Sequence, residues 1–302
     1  MLPKFLERLG DNLAKEWVAK VLTPACIFWF GGLLAWGWRF GFKQLEQVLT
    51  QKSAALPIAQ LIAGFLVVAV SAIALRQFEL PVLRLLEGYW PRWMQPLRRR
   101  FVKQQVTVAD RSEKRFQRLA AKGLEQLTPD ETDEYVRLDW QLKQTPTQSD
   151  RIMPTRLGNI LRAAERRPLE KYGLEAVVCF PRLWLLLPNE VKTELTEART
   201  QLNTMVRVWI WSLLFLLWGI WAWWAIPVGI VSAWFAHCWM LDAAIIYGDL
   251  LESVFDLHRT ALYKSLRWKL PINPTEERRM GQALTDYLWR GFTEPERTFD
   301  DS

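Results

Sequence analysis

The sequence predicts an all-α, four-span helical membrane protein with a helical cytoplasmic domain inserted between two transmembrane hairpins. Three observations lead there. Val208–Leu241 is a run of thirty-four residues without Lys, Arg, Asp or Glu, and it carries eight Trp. As one helix it would be about 51 Å long, against a hydrocarbon core of about 30 Å, so two crossings are expected. Two more uncharged runs, 21–38 and 53–75, lie near the N-terminus. Elsewhere apolar residues recur at helical spacing and no strand alternation persists. A mean hydropathy of −0.03 requires a large polar portion beside these spans.

Residues 1–20 form an amphipathic helix. Leu2, Phe5, Leu6, Leu9 and Leu13 share a side, with Lys4, Arg8, Lys15 and Lys20 among them, the pattern of a helix lying in the interface plane. No small-residue cleavage site follows a short apolar core, so it does not read as a signal peptide. The first hairpin occupies 21–83. Its first span ends at Phe40, and Gly31-Gly32 with Gly37-x-x-x-Gly41 permits close approach of another helix. Pro57 sits in the first turn of the second span, where proline is tolerated.

The cytoplasmic helical domain is placed at 84–203. Gly88-Tyr89-Trp90-Pro91 interrupts the helix leaving span two, and Thr128-Pro129-Asp130-Glu131 is a capping box that starts a helix to about Gln144. A short helix from Leu157 is expected to end at Pro168. Val177–Pro188 is a compact apolar run divided by Pro181, too short to span, and it reads as domain core or as a patch pressed to the membrane. From Asn189 a long helix runs into the second, Trp-rich hairpin, 204–247, which Pro227 breaks into two spans. Residues 248–302 are a cytoplasmic stalk continuing span four, then a helix that Asn273-Pro274-Thr275-Glu276 caps and Gly291 ends.

Basic residues set the orientation. Residues 84–199 hold twenty-two Lys and Arg, the chain after span four holds eight, and the turn between spans three and four has none. The positive-inside rule therefore puts both termini and the middle domain on the cytoplasmic side of an inner membrane. The net charge of +7 is read as attraction to anionic headgroups rather than to nucleic acid. Cys26, Cys179 and Cys238 are too scattered for a disulfide framework or a Cys-x-x-Cys metal site.

Asp242 is the sharpest single residue, an ionisable group carried into the inner leaflet by span four. Asp249 and Asp256 follow at seven-residue steps, with Glu252 near the same side. One reading makes Asp242, Asp249, Glu252 and Asp256 an ion-attracting stripe at a pore mouth, repeated around a homo-oligomer. The other pairs these acids with Arg39, Arg76, Arg207 or the Arg162/Arg166/Arg167 cluster as packing contacts. A second candidate set, Arg98, Arg99, Arg100, Arg162, Arg166 and Arg167, would meet lipid headgroups or a soluble cytoplasmic protein partner.

Enzyme signatures are missing: no nucleophile elbow, Walker loop or dinucleotide glycine fingerprint occurs, and the chain's two His share no metal-ligand spacing. No cofactor is expected. Two functions remain open. One is an oligomeric channel or membrane-permeabilising effector gated through its cytoplasmic domain. The other is a membrane-anchored scaffold or receptor that docks a soluble partner.

Overall fold

The computed structural model describes residues 23–42 and 55–291. The amphipathic segment 1–20, the first polar connection with Lys43 and Lys52, and the acidic tail lie outside the described residues. Ten α-helices run through the described residues in the order α1 Thr23–Phe40, α2 Ala55–Arg76, α3 Glu79–Glu87, α4 Gln95–Lys122, α5 Pro129–Lys143, α6 Arg156–Tyr172, α7 Ala176–Leu186, α8 Asn189–Phe215, α9 Ala225–Ser265 and α10 Pro274–Arg290. No strand occurs among the described residues, so the chain is all-α as expected. Two compact units emerge, Met1–Leu83 with Gln201–Met240 and Arg84–Thr200 with Leu241–Ser302.

In the first unit, α1 and α2 pack together, and the apolar ends of α8 and α9 complete a small core. The residues that fill it are Ala25, Phe28, Ala72, Trp211, Phe215 and Ala225. Gly31 and Gly32 accept rings rather than a neighbouring backbone. A Cβ at Gly31 would stand 2.2 Å from the Phe215 ring, and one at Gly32 would stand 2.5 Å from Trp218. Gly37 faces Phe42 and Gly41 faces open space, so Gly37-x-x-x-Gly41 brings no second helix close among the described residues. Two indole donors at this core are satisfied, Trp218 Nε1 donating to the Phe28 carbonyl at 3.1 Å and Trp29 Nε1 to Ser71 Oγ at 3.0 Å, whereas Trp211 Nε1 is buried without a hydrogen-bond partner. Trp29, Trp211 and Trp218 thus belong to an internal aromatic cluster around Phe28, with ring centroids 4.9–5.4 Å from it.

Two helices, Asn189–Ile220 and Ala225–Ser265, are long and apolar enough to cross a membrane. Ile62–Arg76 qualifies only together with Glu79–Lys122, from which it is bent by 43°. The described residues therefore carry two or three candidate crossings where the sequence predicts four. Helix α1 is not among them: its 18 residues include three Trp, three Gly and Arg39, which dilute its hydropathy. Exposed apolar side chains cover the outside of this unit, with Ile27, Phe30, Phe65 and Val70 each at least 60% accessible. A face that apolar fits lipid far better than water.

The second unit has a larger core of α7, α9 and α10 side chains, with Leu195 of α8 and Leu174 just beyond α6. Leu174, Cys179, Leu183, Phe255, Leu262, Tyr263 and Leu284 are all fully buried. The run at 177–188 turns one side into it: Val178, Cys179, Leu183 and Leu187 are buried, while Val177 and Leu185 are exposed. Two prolines expected to end or divide helices do not. Helix α6 continues through Pro168 to Tyr172, and α7 through Pro181 to Leu186. An interior proline costs about 3 kcal/mol; here the buried residues beyond each one offset it, Leu174 after Pro168 and Leu183 after Pro181. The crossing of α6 and α10 depends on two glycines. A Cβ on Gly281 would lie 2.0 Å from the Tyr172 carbonyl oxygen, and one on Gly173, at φ +73°, would lie 2.0 Å from that of Arg278. The predicted capping box is present in both directions, with Glu131 N donating to Thr128 Oγ1 and Thr128 N to Glu131 Oε2.

Candidate functional site

Within the second unit, the acidic residues of α9 meet a cationic row from α5 and α6. Because α6 does not stop at Pro168, Arg167 and Lys171 sit one turn apart on the same face, opposite Glu252. Arg167 pairs with Glu252, and Lys171 Nζ lies 2.6 Å from the other Glu252 oxygen. Lys171 also reaches Asp256 at 3.2 Å, and the Tyr172 hydroxyl donates to Asp256 Oδ1 at 2.6 Å. Lys143, at the end of α5, takes Asp249 at 3.1 Å. Arg259 extends the network, donating to Glu277 of α10 at 2.7 Å and lying 4.1 Å from the centroid of the Tyr172 ring.

Burial works against the Glu252 charge, but hydrogen bonds from Lys171 and Arg167 prevail and hold its carboxyl below the usual range. Lys171 shows the mirror case: burial opposes its charge, and bonds to Glu252 and Asp256 hold its ammonium above the usual range. Glu252 is the centre of this clamp, with only 13% of its side chain accessible, whereas Asp249 and Lys143 are about half exposed. Exposed pairs contribute about 0–1 kcal/mol, so the Lys143–Asp249 contact adds little.

Asp242 stands apart. It is exposed, and among the described residues it makes no hydrogen bond or ion pair. The stripe legible in the sequence is therefore divided between three acids held by the domain's own cations and a fourth that is not. The arginine that sequence spacing offered to these acids, Arg207, belongs instead to a buried pair in the first unit. Its Nε donates to Glu79 Oε1 at 2.7 Å, and the two side chains are 5% and 9% accessible.

The basic candidates divide as well. Arg99 and Arg100 are exposed on α4, while Arg98 donates from Nε to the Gly88 carbonyl at 3.2 Å. Arg162 lies 3.7 Å from Glu165, and Arg166 donates to Gln148 Oε1 at 3.2 Å, so both are turned into the domain. Around Arg162 sits a charge cluster that sequence reading missed, comprising Glu87, Glu165 and Arg199. Burial pushes the carboxyls of Glu87 and Glu165 up, with Arg199 and Arg162 opposing. Nothing in the sequence distance between residue 87 and residues 162–199 signals this. Burial also pushes the Cys179 thiol up to about 11.

Between α4, α5 and the start of α6 opens a groove of about 710 Å³, with Val108, Val136 and Trp140 as its apolar wall and Gln105, Arg137 and Arg156 among its polar groups. Among the described residues no group of three His, Cys, Asp or Glu side chains converges as a metal site. No protein family model matches this chain, and no curated protein or solved structure matches it either.

Proposed function

We propose that this chain is a four-span protein of the cytoplasmic membrane, with both termini inside, whose helical domain acts as a membrane-anchored receptor or scaffold for a soluble cytoplasmic partner. The observation that carries this reading is the engagement of Asp249, Glu252 and Asp256 by Lys143, Arg167 and Lys171. An ion-attracting ring needs carboxylates whose field is not cancelled. Here three of the four candidates each sit against a cation of α5 or α6, and Glu252 is largely buried in that contact. Arg99 and Arg100 remain free to meet anionic headgroups on the cytoplasmic leaflet.

A second reading, the oligomeric channel, is favoured by Asp242 alone. A charged group exposed on a helix apolar enough to span is costly against lipid, and a second copy or an aqueous lumen would relieve it. Purified protein in liposomes separates the two. The anchored receptor passes no ions and keeps its assembly state as Asp242→Asn. Cation flux that Asp242→Asn abolishes, with assembly unchanged, overturns the receptor reading. Orientation is tested by labelling single-cysteine variants with an impermeant maleimide: Trp223→Cys reacts from outside intact cells, and Ser149→Cys reacts only after permeabilisation.

A further inference from the structure

The groove of the second unit combines three features that do not serve the clamp or the core. Its volume, about 710 Å³, is that of a site for one small organic ligand. Trp140, on its apolar wall, is 53% accessible, which leaves a large indole face for stacking. The charged groups are of two kinds, cations at Arg137 and Arg156 and a single carboxylate at Asp133, with carboxamides between them.

Two of the carboxamides, Gln105 and Gln144, accept on their oxygens and keep amide hydrogens to donate. Asn159 spends its oxygen on the Met153 N–H at 2.6 Å and its nitrogen on Gln105 Oε1 at 3.5 Å, so Gln105 keeps its amide hydrogens. Gln144 takes Arg156 on its oxygen at 3.4 Å, and its Nε2 is buried without a hydrogen-bond partner. A wall so arranged suits a ligand rich in acceptors. The Asp133 carboxylate adds one place for hydroxyl or amino donors.

We propose that this groove binds a nucleotide: a planar base stacked on Trp140, a phosphate taken by Arg156 and Arg137, and a sugar hydroxyl or exocyclic amine donating to Asp133. The site gives the receptor domain a small-molecule signal and in that sense rests on the function proposed above. Binding itself is measured with neither partner nor ion flux, so failure of either idea leaves the other standing. A bare phosphate would use the arginines and leave the indole idle; a purely apolar guest would leave the guanidinium groups and Gln144 without acceptors.

The test is equilibrium dialysis of the full chain in lipid nanodiscs against AMP, GMP, CMP and UMP, with adenosine and inorganic phosphate as separate arms. Saturable binding of at least one monophosphate is expected at about 1 mM or below. Trp140→Ala weakens it about tenfold or more, Trp140→Phe restores most of it, and Trp289→Ala, an exposed indole on α10, leaves it unchanged. Arg156→Gln reduces the affinity for the monophosphate toward that for the nucleoside. The proposal is overturned if no monophosphate saturates, if Trp140→Ala with an unaltered melting temperature binds as the wild type does, or if inorganic phosphate displaces the nucleotide at equal concentration.

Discussion

Arg207→Ala is the most exacting perturbation of the first unit. Arg207 Nε donates to Glu79 Oε1 at 2.7 Å, and accessibilities of 5% and 9% place both ions in the interior. The magnitude turns on that burial. Exposed ion pairs contribute about 0.2–1 kcal/mol, but removing one partner of a buried pair costs about 3–5 kcal/mol, because a charge is left without compensation. At roughly 2–4 °C per kcal/mol for a protein of this size, Arg207→Ala lowers the melting temperature by about 6–20 °C. The double variant Glu79→Leu with Arg207→Met removes both charges and keeps the volume. It is expected within about 1 kcal/mol of wild type, or above it. Thermal unfolding in detergent, followed with a thiol-reactive dye, reads both. The dye is used on a Cys26→Ser, Cys238→Ser background, because Cys26 is exposed and Cys238 half-buried. The buried Cys179 then reacts only once the second unit opens, and a parallel calorimetric scan registers the first. A shift below about 2 °C for Arg207→Ala, or a double variant no more stable than the single, refutes the argument from burial.

The clamp and the Glu87/Glu165 cluster give opposite pH dependences. The Glu252 carboxyl is depressed, so its contribution is present above the unfolded value near 4.3 and is lost as pH falls through the folded one. Glu87 and Glu165 are raised, so the folded state takes up their protons first and gains stability as pH drops from neutral toward their folded values. Melting temperature should therefore rise in mild acid and then fall, and the double variant Glu87→Gln with Glu165→Gln should lose the rise while keeping the fall. With its thiol pushed up to about 11, Cys179 stays protonated at pH 8 and resists maleimide in the native chain, reacting stoichiometrically in denaturant. Gly281→Ala forces a methyl to within 2.0 Å of a backbone oxygen, so α10 must lift from α6. A loss of at least about 2 kcal/mol in denaturant unfolding is expected, and a neutral effect contradicts the close crossing.

Local chemistry was legible in the sequence. The Thr128 capping box, the Asn273 cap and the Gly291 stop are written within four residues each, because the atoms that satisfy a helix end come from the same turn. The apolar length of 208–241 was legible for the same reason: hydrophobicity is a property of the run itself. Pro168 and Pro181 misled because a local penalty of about 3 kcal/mol is small beside the burial that distant partners supply.

What only the tertiary structure decided is which charge meets which. Glu79 finds Arg207 across 128 residues, and Glu252 finds Arg167 across 85. The acidic spacing on α9 was plain from the sequence, but whether those carboxylates faced ions or cations was not. A helix fixes the side on which its residues lie, while the partner on that side is set by how the chain returns to it. That return also brought α4, α5 and α6 around a single groove, a place that no stretch of sequence contains by itself.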